Sequence, residues 1–108
     1  EEDLETLVPS YLQLREALAN DDFGMALEHM ELFSEEDFSD IEDLREEFKV
    51  ISEMLIVRVE EEGYDGKLYK QYCPMYDGGS NWISDNEEIA NPFYGSQMLK
   101  CGETVETL

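Results

Sequence analysis

The sequence predicts a mainly α protein: a three-helix antiparallel bundle, then a compact irregular C-terminal region with a short strand or hairpin plus a short helix. Three observations carry this. Apolar residues recur at helical spacing through residues 1–62, a capping box opens the longest run, and glycine and proline concentrate after it. At 108 residues the chain has the size of one domain, 1–108, divided into a helical bundle (1–62) and a Cys/Met-containing C-terminal region (63–108).

In the first helix Leu4, Leu7, Tyr11, Leu14 and Leu18 form one stripe at alternating spacings of three and four. Pro9 falls within it and predicts either a kink or a start at that residue, because proline is tolerated only in a first turn. Asp21-Asp22 ends this helix and caps the second, which runs from about Phe23 to Phe33 with Phe23, Ala26 or Leu27, Met30 and Phe33 on one face. The third opens on Ser39-Asp40-Ile41-Glu42, read as a capping box with Ser39 at the N-cap. Ile41, Leu44, Phe48, Ile51, Leu55 and Val59 follow at helical spacing, Val50, Met54 and Val57 widen the stripe, and Gly63 supplies the stop.

From Gly63 onward the texture changes. Six of the seven glycines, two of the three prolines, Trp82 and most of the tyrosines lie there. Residues 67–72 read as a short strand ended by Pro74, and Asp77-Gly78-Gly79-Ser80-Asn81 as a turn. Ser84 to Glu87 suggests one helical turn. Asn91-Pro92 suggests an N-cap with proline at the first position of a short helix reaching Leu99, with Gly102 past its end.

The charge balance is 28 acids against 7 bases, a net −21. Such a surface repels nucleic acid and anionic headgroups and suits cationic partners. Residues 1–62 carry 21 acids and 4 bases, whereas 63–108 carry 7 and 3, so the two parts present different surfaces. No run of 18 apolar residues occurs, so no direct membrane insertion is expected. With one His, no phosphate cradle and no nucleophile motif, no enzyme chemistry is expected.

Two cysteines fit either a disulfide in an oxidising compartment or a pair of thiolate ligands. An extended Cys73-Pro74-Met75 would place both sulfurs on one face, and a helical Met98-Leu99-Lys100-Cys101 would do the same. If the segments meet, Cys73, Met75, Met98 and Cys101 gather two thiolates and two thioethers, a donor set that selects Cu(I) or Ag(I). The other reading is a Cys73–Cys101 disulfide. It would close a loop of about 28 residues, stabilise by roughly 3–4 kcal/mol, and leave the methionines as core filler. Spacing alone favours the disulfide or buried thiols. Met25 and His29, four apart on the second helix, read as solvated surface residues rather than as a metal entry point.

Tyr69-Lys70-Gln71-Tyr72-Cys73-Pro74-Met75, Trp82-Ile83-Ser84, Asn91-Pro92-Phe93-Tyr94-Gly95 and Met98-Leu99-Lys100-Cys101-Gly102, in that order, resemble a bacterial domain family of unknown function. Residues 11–18 and 41–52 of the helices are similar to it too, so the likeness spans nearly the whole chain. That family occurs in periplasmic or secreted proteins and is often appended to membrane-fusion subunits of copper/silver-type efflux pumps. The resemblance implies an extracytoplasmic, non-enzymatic module linked to heavy-metal efflux. This chain departs from the family pattern at Glu47, where many members carry His beside the aromatic, and at Leu44, where they carry a polar residue. It also has a short connection between helices two and three. If the missing His is a metal ligand, that ligand is lost here.

Overall fold

The computed structural model describes residues 2–108. Three helices, α1 (Leu4–Ala19), α2 (Phe23–Met30) and α3 (Ile41–Glu62), precede three antiparallel strands, β1 (Tyr69–Cys73), β2 (Ser80–Ser84) and β3 (Glu103–Thr107), in the sheet order β2-β1-β3. The mainly α expectation is corrected: this is a mixed helix-plus-sheet fold. The third helix leans mainly on β2 and touches α1 only sparingly, so the sheet occupies a place a bundle would give to helices.

The predicted stripe of α1 is buried in full, from Leu4 to Leu18. The helix begins at Leu4, capped by Asp3, whose carboxylate accepts from Thr6 N–H, and it runs through Pro9 instead of starting there. Asp22 caps α2 as expected, but α2 stops at Met30 and residues 31–33 form a turn. The cap of α3 is Asp40, one residue beyond the predicted Ser39. Asp40 accepts from Asp43 N–H, and Ser39 Oγ donates to the Asp43 carboxylate instead. Gly63, at φ +80°, closes α3 with its N–H on Val59 O.

Val50, Met54 and Val57 do not widen the buried stripe; they stand outward at 59, 52 and 49 % exposure. The side of α3 carrying Leu44, Phe48, Ile51, Leu55 and Val59 turns inward, and residues 50, 54 and 57 lie on the remaining arc. The C-terminal expectations change most. Ser84 to Glu87 is not helical: Ser84 ends β2 and its Oγ accepts from Asn86 N–H. Residues 91–99 form turns and a single 3₁₀ turn, Gly95–Gln97, in place of a short helix. The third strand, β3, has no counterpart among the sequence expectations.

One core joins helices and sheet, with Trp82, Ile83, Cys73 and Phe93 packed among Tyr11, Leu14, Phe48 and Leu55. Its polar tie is Tyr11. Its hydroxyl lies 2.6 Å from Ser52 Oγ on α3 and accepts from Ile83 N–H on β2 at 3.0 Å, so one phenol links all three units. The second tie is Arg45, a buried cation on α3. It donates through Nε to Pro92 O at 2.8 Å and through Nη2 to Leu18 O at 2.7 Å, and it pairs with Asp21 at 2.9 Å. Gly95 (φ +60°) fits against this pair; any added Cβ would collide with the Asp21 carboxylate and the Arg45 guanidinium. Both ties offset the desolvation of groups that would otherwise be buried without partners.

Burial pushes the Tyr11 phenol far above its ordinary 10.0, against smaller opposing effects of Ser52, Ile83 and the charge of Arg15. Tyr76 is pushed up to about 12, by burial first and then by Glu46, Glu42 and Asp77. A folded-state pKa above the unfolded one means that their stabilisation is present below pH 10 and is lost as pH rises further. In urea melts, Tyr11→Phe is expected to cost about 1–3 kcal/mol at neutral pH, because Ile83 N–H loses its acceptor. The same variant should show a shallower loss of stability above pH 10 than the parent protein. Equal alkaline slopes would contradict the role given to this phenol.

Candidate functional site: a buried thiol pair

Cys73 closes β1 and is wholly buried; Cys101 is half-buried and precedes β3. Tyr72 pairs with Glu103 in the antiparallel ladder, so the register brings Gly102 level with Cys73 and sets Cys101 beside it. Gly102 (φ +130°) permits this approach, since a Cβ there would stand 2.7 Å from Tyr72 O. The two segments therefore do meet. Both cysteines are free thiols, set close enough to influence each other. Burial pushes the Cys101 thiol above its ordinary 9.0, and the neighbouring Cys73 thiol pushes the same way. The Tyr94 phenol faces the pair: burial raises it first, and the two sulfurs and Glu42 add to the rise.

Asn91 sets the position of Cys101. It is fully buried and uses every polar group it has. Its Nδ2 donates to Cys101 O at 2.8 Å and its N–H to Leu99 O at 2.8 Å. Its Oδ1 accepts from Phe93 N–H at 2.8 Å and Tyr94 N–H at 3.2 Å, and its backbone oxygen accepts from Gly95 N–H. One side chain thus fixes both Cys101 and Tyr94. The Asn91-Pro92 signal was a real cap-like signature, since Oδ1 receives the following amides, but the turn it opens does not continue as an α-helix.

The thioethers are placed differently from the thiols. Met75 is not extended after Cys73; its φ of −91° and ψ of −31° turn the chain at Pro74, and its side chain is 59 % exposed. Met98 and Cys101 lie not on a helix but at the two ends of a turn, with Cys101 N–H on Met98 O, and Met98 is 38 % exposed. The structure joins Cys73 with Cys101 and leaves Met75 and Met98 at the surface. Among the described residues no group of three or more His, Cys, Asp and Glu is placed to hold a metal ion. Met25 is exposed and His29 half-buried on α2.

Arg45, Tyr11 and Asn91 build the site without any motif that marks them for that role in the sequence. Ser52 carried a usable signal, a polar residue within the apolar stripe of α3, and so did the isolated Arg45 one position after Leu44. No family model, curated protein or solved structure matches the chain.

Chemically, the pair offers two soft donors under an aromatic cover, or the two halves of a disulfide. Asn91→Ala is expected to destabilise the fold by about 1–3 kcal/mol, because Cys101 O and the Phe93 and Tyr94 amides lose their partner. Iodoacetamide labelling of Cys101 in the native protein, read by intact mass, should be slow at pH 7 and accelerate only above pH 9, with the wholly buried Cys73 slower still. In Asn91→Ala both thiols should label faster at every pH. Rapid labelling of both thiols at pH 7 in the parent protein would contradict the burial described here.

Proposed function

We propose that the protein is a non-enzymatic, extracytoplasmic module that holds or passes Cu(I) or Ag(I) on the Cys73–Cys101 pair. The observation that carries this reading is the contact of two free thiols contributed by segments far apart in sequence, one sulfur buried and the other half-exposed. Thiolates select soft monovalent ions, and a pair already in contact needs little rearrangement to share one. The exposed side chains of Met75 and Met98, adjoining the pair in sequence, supply docking points through which an ion arrives or leaves. A net charge of −21, carried mostly by residues 1–62, draws cations toward the molecule as a whole.

The motif resemblance supports a periplasmic or secreted setting and a membrane-fusion or other efflux-pump component as partner. No helix among the described residues is long and apolar enough to cross a membrane. Enzyme function has no support in the residues around the pair. The same thiol contact also favours a second reading, a structural or protein-interaction module in which Cys73 and Cys101 form a disulfide.

Competitive titration of the reduced protein with a chromophoric Cu(I) chelator separates the two. One Cu(I) per chain is expected, with affinity rising with pH because the thiols release protons to the solvent on binding. Cys73→Ser and Cys101→Ser should each weaken binding by at least about a hundredfold, and Met75→Leu with Met98→Leu by about tenfold or less. Reduced protein that competes for no Cu(I) would remove the metal reading and leave the disulfide module.

A further inference from the structure

We propose that Arg15, assisted by Lys100, forms a binding subsite for a small carboxylate in a cavity between α1 and the 86–90 loop. This site is separate from the thiol pair and does not rest on the reading given to it. Arg15 is only 7 % exposed, and its Nε is buried with no hydrogen-bond partner. No ion pair or hydrogen bond to its guanidinium exists among the described residues. That is anomalous in a chain with 28 acids. Arg45, Lys49, Arg58 and Lys70 each have a carboxylate partner, most of them more exposed than Arg15. A buried guanidinium without an acceptor is costly, and a carboxylate bound in the cavity that Arg15 lines would offset that cost electrostatically.

The cavity has a volume of about 210 Å³, which suits a ligand of a few heavy atoms. Arg15 and Lys100 line it together with Asn20 and Asn86. Glu16 and Glu88 line it as well, without pairing to either cation among the described residues, so the ionisable lining is balanced rather than acidic. The arrangement differs from the rest of the surface, where the acids dominate. Two of only seven basic residues converge here, and one of them is already desolvated.

Titration of ¹⁵N-labelled protein with sodium succinate, at constant ionic strength near 0.15 M so that the −21 charge is equally screened throughout, tests the site. Saturable shifts of the Asn86 and Ala90 amides and of the Arg15 Nε–H resonance are expected. Arg15→Gln should weaken succinate by at least about tenfold, and the exposed Lys100→Gln, which leaves the core untouched, by several-fold. Absence of saturation, or shifts that persist unchanged in both variants, would overturn the proposal. So would inorganic phosphate binding as tightly as succinate. Carboxyl titrations of Glu16 or Glu88 that move upward in Arg15→Gln, with no succinate effect in the parent protein, would assign Arg15 to an in-chain pair and overturn it too.

Discussion

The C-terminal third depends on Asn91. From Asp85 to Gly102 the chain has no regular element beyond one 3₁₀ turn, so its backbone groups lack the ladder partners that a helix or strand would provide. A single buried carboxamide replaces them, taking two amides and giving to one carbonyl, while the Asn91 main chain ties Leu99 and Gly95. The loop is thereby folded back on itself, and its end at Cys101 is delivered to β1. Burial makes this arrangement stringent, most of all at the Phe93 amide, because a group shut off from water has no other partner.

The loop in turn is fastened to the helices by Arg45. Its hold on Pro92 O lies next to Asn91 in sequence, and its other bonds reach the end of α1 and Asp21. Asp21 also accepts from Ser96, and the hydrogen bonds of Ser96 and Arg45 hold its carboxyl below the usual range. Helix packing sets Arg45, Arg45 sets Pro92, Asn91 sets Cys101 and Tyr94, and the β1–β3 register brings Cys101 to Cys73. The aromatic cluster follows the same path: Phe93 lies between Phe48 at 5.7 Å, Tyr76 at 4.5 Å and Trp82 at 5.9 Å. Each contact couples the irregular third to α3 or to the hairpin.

Much of the helical half was legible because burial on one face leaves a periodic trace. The stripe Leu4-Leu7-Tyr11-Leu14-Leu18, the Asp22 cap and the Gly63 stop were all readable. The cap of α3 slipped by one residue because Ser39 and Asp40 both suit the position, and Asp40 wins by reaching Asp43 N–H. The third strand left no trace: Glu103-Thr104-Val105-Glu106-Thr107 is exposed at every position, so its alternation encodes no buried face. It exists through its backbone bonds to β1, with Thr104 tied to Gln71 and to Glu87 O. With β3 silent in the sequence, the sheet and the mixed fold class are silent as well. The thiol pair was half legible. Its members could be named from sequence, but their meeting depends on a register that β3 alone sets, and the thioether geometry assumed an extended Met75 and a helical Met98 that the turns replace.

The contact between the two sulfurs is the claim on which the site rests. Phenylarsine oxide tests it directly, since the arsenic bonds two sulfurs of one folded chain and releases water only when both are within bridging reach. Reduced native protein should take up one arsenical per chain and lose both thiols to subsequent alkylation after denaturation, with Cys73 and Cys101 found in one cross-linked peptide pair. Two alkylatable thiols and no arsenical adduct would contradict the account.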